Sequence, residues 1–176
     1  MRLFVAIDIP FDVKAELWYL AQRLEHQAKR ARIVPLENFH LTLLFIGETN
    51  RVNEAREALH HVQLPEKPLD LEFDGVGSFR QKQDYTWWVG IKATSDLSAL
   101  ASSLSARFRE AGFAIDTRSF KPHITLARKV ASSAERPIGL YAPMHVVRAE
   151  RLSLMRSTNE GGSMVYTEID SVELPN

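Results

Sequence analysis

The chain has 176 residues, carries 22 basic against 22 acidic side chains, and contains no cysteine. That length is enough to bury about 70% of the unfolded surface in one domain without covalent staples. Zero formal charge argues against a bulk nucleic-acid coat or an acidic-membrane binder while leaving room for a local basic cleft, and the lack of cysteine excludes disulfides and thiolate metal sites.

Residues 3–9 form an apolar run rich in Val, Ile and Phe, which predicts a buried first strand ended by Pro10. Asp8 interrupts the run, which is too short for a signal sequence or a membrane span. The expectation is a soluble cytoplasmic monomer that does not touch membranes. Val13, Leu17, Leu20, Ala21, Leu24 and Ala28 recur at helical spacing and predict an amphipathic helix over 11–29. Lys29, Arg30 and Arg32 then suit the negative end of its dipole, a reading preferred to a substrate role.

A short strand is expected at 32–34, turn chemistry at 35–38, and a strand at 40–46. Asn50 is placed as the cap of a helix reaching about residue 61. The segment 64–68 reads as a connector and a seam between lobes. Strands follow at 69–76 and 85–91. Ser95 or Asp96 then caps a helix with the stripe Leu97, Leu100, Leu104, Phe108 and Ala111, closed by Gly112. Strands are predicted at 113–117 and 123–130, a loop at 131–143, and two long strands at 145–155 and 164–174 around Asn159-Glu160-Gly161-Gly162. The order predicts an α+β fold: a single bilobal domain over 1–176, with two antiparallel or mixed sheets facing a central cleft, helices outside, and a His-x-Thr strand central to each lobe.

Two segments share His-x-Thr-Leu: His40-Leu41-Thr42-Leu43 and His123-Ile124-Thr125-Leu126. With six histidines and eight threonines, chance supplies about 0.3 copies of His-x-Thr, so a doubled motif in two strand-like runs is specific. Alternation on a strand sends His40 and Thr42 to one face and Leu41, Leu43 and Phe45 to the other, so Phe45 is expected in the core. His123 and Thr125 likewise share a face. Two such faces in apposition bring two imidazoles and two hydroxyls together. Hydrolysis of a phosphodiester needs a base on the attacking side and an acid on the leaving side, and imidazoles with an ordinary pKa near 6.5 serve both ends near neutral pH. Hydroxyls can donate to the non-bridging oxygens as their charge grows. No metal or cofactor is required.

The remaining candidates read differently. His60 and His61 are adjacent on a helix and do not share a face, so they are expected to face solvent. His26 and His145 have no evident partner. Trp87 and Trp88 are expected to serve core or lobe packing, although either could stack a base.

These motifs, together with residues 2–8, residues 120–128 and the closing hairpin with Tyr166, resemble the two-histidine phosphoesterase superfamily. Within it the chain is similar to the RNA 2′,3′-cyclic phosphodiesterases, also called 2′-5′ RNA ligases. The resemblance implies hydrolysis of RNA 2′,3′-cyclic phosphate ends to 2′-phosphates, with the 3′ oxygen leaving and 2′-5′ ligation as a related activity. The substrate is then an RNA end or a small nucleotide. The resemblance also implies His40 as proton donor and His123 as proton acceptor, with Thr42 and Thr125 beside them. Arg128 and Lys121 are substrate-binding candidates, although strict alternation puts Arg128 opposite His123 unless the strand bulges. Competing readings are a phosphoesterase acting on an ADP-ribose cyclic phosphate or a 2′-5′ oligoadenylate, a non-catalytic RNA-end binder, and a histidine metal site.

Overall fold

The computed structural model describes residues 1–116, 118–144 and 146–176. Thr117, at the end of the strand expected at 113–117, and His145, which opens the strand expected at 145–155, lie outside the described residues. The elements run β1 (Arg2–Asp8), α1 (Phe11–Glu25), β2 (Arg30–Ile33), a 3₁₀ turn (Leu36–Asn38), β3 (His40–Glu48), α2 (Val52–His60), β4 (Leu69–Arg80), β5 (Tyr85–Ile91), α3 (Ser95–Glu110), β6 (His123–Ala131), β7 (Val146–Ala149), β8 (Arg151–Glu160) and β9 (Ser163–Glu173).

Two antiparallel sheets, in the orders β3-β1-β8-β9 and β2-β6-β5-β4-β7, make the expected α+β fold. Each sheet carries one His-x-Thr strand. β3 is an edge strand rather than central, and it meets β6 of the other sheet, so the motif strands lie where the sheets approach. The sheets are not the two halves of the sequence. β1 and β3 pair with the C-terminal strands β8 and β9, while the early strand β2 pairs with β6. Helix α1 packs on β2 and β6, and α2 and α3 pack on each other and on the β3 sheet. Val5, Ile7, Leu41, Leu154, Leu97 and Leu104 fill the core on that side. The connector at 64–68 carries the chain from α2, which packs on the first sheet, into β4 of the second.

Several expectations fail for local reasons. Helix α1 stops at Glu25, so Lys29, Arg30 and Arg32 do not sit on its dipole; Arg30 and Arg32 are in β2 and Lys29 leads into it, its N–H donating to Ala131 O at 2.8 Å. The run 145–155 is two strands, because the chain changes sheets at Glu150, where two consecutive exposed residues, Glu150 and Arg151, break the alternation. Phe113 and Ile115 are buried, but their N–H groups close turns onto Phe108 and Phe113, so the segment is not a strand. The cap of α3 is Thr94, whose hydroxyl accepts from the Leu97 N–H, and the residue before α2 is Arg51, with no side-chain cap. The hairpin is as expected: Gly161 and Gly162 both hold positive φ, 59° and 88°, which suits a tight two-residue turn. Among the described residues no helix is long and apolar enough to cross a membrane.

Candidate active site

Both motif strands break alternation at the same place. In β3, Val5 faces Leu44 and Ala6 faces Thr42, leaving Leu43 as an extra residue. In β6, Trp87 faces Ala127 and Trp88 faces Thr125, leaving Leu126 extra. A bulge of this kind inverts the facing of everything beyond it. Leu43 and Leu44 are therefore both buried, as are Leu126 and Ala127. The next residue swings out to the histidine side: Phe45 on β3, which is 61% exposed, and Arg128 on β6. Phe45 is thus not in the core, and Arg128 shares a face with His123 and Thr125.

The two imidazoles are tethered alike. His40 Nδ1–H donates to Asn38 O and His123 Nδ1–H donates to Lys121 O, each at 2.7 Å and each two residues back along the chain. This fixes the neutral tautomer with the lone pair on Nε2. The Thr42 hydroxyl donates to His40 Nε2 at 2.9 Å. Among the described residues the Thr125 hydroxyl has no hydrogen-bond partner.

Aromatic rings wall each imidazole. His40 stacks on Phe4 at 5.0 Å and meets the edge of Tyr166 at 5.1 Å. Phe45 continues this wall at 6.4 Å from Phe4. His123 meets Phe79 edge-on at 4.8 Å and Trp88 at 5.9 Å. Rings exclude water and offer no counter-charge, so the imidazolium forms are disfavoured. Burial is accordingly the main cause that pushes His40 down to about 4, and His123 is lowered chiefly for the same reason. The Arg128 guanidinium adds to the lowering of both imidazoles, which places one fixed cation within electrostatic reach of the pair.

Neighbouring groups hold these parts in place. Lys14 is buried and donates to Asp8 Oδ1 at 2.7 Å and to Glu37 O at 3.3 Å. Asn38, also buried, donates its amide N–H to Met164 O at 2.8 Å. The turn that supplies the carbonyl for His40 is therefore pinned by α1 on one side and β9 on the other. The Lys121 ammonium lies over the Trp88 and Phe79 rings, 4.9 and 5.5 Å from their centroids.

A family model described as the 2′-5′ RNA ligase superfamily matches residues 12–161. The chain belongs to that superfamily. An RNA 2′,3′-cyclic phosphodiesterase of Archaeoglobus fulgidus is 32% identical over 129 residues, 73% of this chain and 72% of that protein. Another from Thermus thermophilus is 31% identical over an alignment spanning 99% of this chain and 90% of its own length. Among solved structures, a Thermus thermophilus protein superposes with a TM-score of 0.84 at 28% identity, covering 99% of this chain and 98% of that one. Escherichia coli LigT complexed with 3′-AMP gives 0.83 at 26%, with the same coverage.

Within this superfamily fold, the sequence-derived candidates His40, Thr42, His123, Thr125 and Arg128 lie on two facing strands, with Lys121 at their margin. His60, the last residue of α2, and His61, which caps it, are exposed and bonded to Asp170 and to the Glu57 carbonyl. Trp87 is in the core, with its indole N–H on Glu135 O, whereas Trp88 walls His123. Among the described residues no group of three or more His, Asp or Glu side chains is arranged to hold a metal ion. The sequence did not point to Phe4, Phe79, Lys14 or Asn38. For Asn38 a signal exists: it stands two residues before His40, as Lys121 stands two before His123, and a strand-entry carbonyl at that offset is what each Nδ1–H needs.

Proposed function

We propose that this chain hydrolyses RNA 2′,3′-cyclic phosphodiester ends to 2′-phosphates, with His40 as proton donor and His123 as proton acceptor. One observation carries the reading. Two imidazoles with the same Nδ1 tether and their own aromatic walls stand on neighbouring strands of different sheets, under the charge of one guanidinium. The cyclic phosphate sits between the two Nε2 atoms. A water oxygen bonds to phosphorus as His123 Nε2 takes its proton. The P–O3′ bond breaks, and O3′ takes a proton from His40 Nε2. Thr125, Thr42 and Arg128 meet the non-bridging oxygens, and Lys121 stands at the margin for the nucleotide.

Before substrate binds, His40 is neutral at pH 7, since burial lowers it to about 4. The substrate changes that. A phosphodiester anion about 4 Å away favours the imidazolium by about 4 kcal/mol at an effective dielectric of 20, which is roughly three decades in proton affinity. Proton loading of the donor is thereby tied to arrival of the anion. With a 5′-hydroxyl in place of water the same transfers describe 2′-5′ joining: O5′ bonds to phosphorus as His123 Nε2 takes its proton, and the P–O3′ bond breaks as O3′ takes a proton from His40 Nε2. Every group named comes from one chain, so we take the monomer as the working unit.

The test is incubation with cytidine 2′,3′-cyclic phosphate, with and without EDTA, followed by identification of the product isomer. The expected product is the 2′-monophosphate, at a rate EDTA leaves unchanged and that His40→Ala or His123→Ala each abolishes. A 3′-monophosphate, or activity surviving both substitutions, sinks the proposal.

A further inference from the structure

The proposed reaction occupies the end of an RNA, and a cleft of two histidines says nothing about where the rest of the strand lies. Beyond β6 the sheet ends in the short edge strand β2, which begins two residues before the strand expected at 32–34. Ala31 and Ile33 turn inward and pack against the core, so Arg30 and Arg32 point the other way. Arg32 is paired in register with Arg128, and its guanidinium donates to Gly162 O at 2.6 Å, on the hairpin tip of the opposite sheet. That contact puts the Arg32 side chain on the cleft side. Arg30 is paired with Ala131, one step further out, and the exposed Lys29 and Lys129 flank the row.

Among the described residues Lys29, Arg30, Arg32, Arg128 and Lys129 form no ion pair with a carboxylate, and they stand together on or beside the paired strands β2 and β6. In a chain of zero formal charge this is a local excess of positive charge that starts at the reacting phosphate. Successive same-face positions on a strand are about 6.6 Å apart, a step suited to consecutive phosphates of an extended strand. We propose that β2 carries the phosphodiester backbone of single-stranded RNA immediately upstream of the cyclic end, with Arg32 and then Arg30 holding successive phosphates. This rests on the cleft reading given above and adds its substrate: a polymer end rather than a free nucleotide.

The experiment compares Arg30→Gln/Arg32→Gln with wild type on two substrates: cytidine 2′,3′-cyclic phosphate, and a short oligoribonucleotide ending in the same cyclic cytidylate. Expected is a fall of roughly tenfold in kcat/KM for the oligonucleotide at low salt, no change for the mononucleotide, and a log–log salt slope shallower by about 0.7 for each cation removed. Lys29→Gln/Arg30→Gln, which leaves the Arg32 bond to the hairpin intact, shows the same selectivity with a smaller loss. An equal loss on both substrates, or none on either, overturns the proposal. If wild type fails on the mononucleotide, the cleft reading has failed instead. Anisotropy of a labelled oligonucleotide ending in a 2′-phosphate then decides the strip alone, since unchanged affinity in Arg30→Gln/Arg32→Gln refutes it.

Discussion

Acid should destabilise this protein through His40 in particular. The ring is half-buried between Phe4 and Tyr166, and its desolvation there lowers it to about 4 when folded, against about 6.5 when unfolded. Its folded pKa is the lower one, so the unfolded chain binds more protons between those values. The stability due to neutral His40 is complete above about pH 6.5 and is lost as pH falls toward 4. Integrating the linkage between pH 7.5 and 4.5 gives a loss of about 2–3 kcal/mol from this one group. His123 is lowered as well and contributes in the same direction, so a variant is needed to isolate His40. His40→Asn keeps a polar side chain of similar reach and removes the titration. Urea unfolding at a series of pH values, followed by tryptophan fluorescence, should show wild type losing about 2–3 kcal/mol more than His40→Asn across that span. A nucleotide 2′-phosphate at saturating concentration should shrink the difference, because the anion favours the imidazolium. If the two proteins show parallel curves, the aromatic wall does not desolvate His40 as described, and the argument that its proton arrives with the substrate falls with it.

Two further outcomes follow from contacts around the imidazoles. Lys14→Met removes a cation that lowers His40 and leaves Asp8, which raises it, without its ion pair, so the His40 ring resonances should titrate at higher pH by NMR; an unchanged midpoint would show that Lys14 merely packs. Gly77→Ala should be costly although Gly77 is not in the motif. A Cβ there would lie 2.3 Å from the Trp88 ring, which walls His123 and supports Lys121. Overpacking of this kind costs about 1–3 kcal/mol, so a lowered Tm together with a lowered kcat is expected, and a variant with wild-type values for both would refute the contact.

The paired motifs, the first strand, the three helices and the closing hairpin were legible because each rests on local pattern. What was not legible depended on partners distant in sequence. Inward residues fall at 147 and 149 and then at 152 and 154, so the polar pair Glu150-Arg151 breaks the alternation locally, but nothing local says that β7 pairs with β4 and β8 with β1. Phe113 and Ile115 bury alternate side chains as a strand would, while their backbone closes turns instead. The basic residues after α1 fitted a helix end until β6 drew Arg30 and Arg32 into its ladder. For Phe45, parity was the wrong rule, although the sequence held a warning. Thr42 and Thr125 are each followed by two consecutive apolar residues, Leu43-Leu44 and Leu126-Ala127. Two adjacent apolar residues cannot both face inward on a regular strand, and a bulge is how both are buried.

That shared bulge also explains how a cleft built from two like strands acquires direction. Up to the extra residue the strands match: histidine, apolar residue, threonine, then two buried residues. The first position past the bulge is turned into the cleft on both, and there the sequence differs, Phe45 on one wall and Arg128 on the other. A symmetric pair of imidazoles has no preferred end for an anion. A guanidinium on the β6 wall, with exposed phenylalanine opposite, gives it one, and the run of Arg32 and Arg30 extends the positive side outward along the same edge. The apolar wall is also the one against which His40 is more deeply desolvated. Charge placement, proton affinity and the exit of the strand are therefore set together by which residue follows each bulge. Exchanging Phe45 and Arg128 should turn the substrate in the cleft rather than merely weaken its binding.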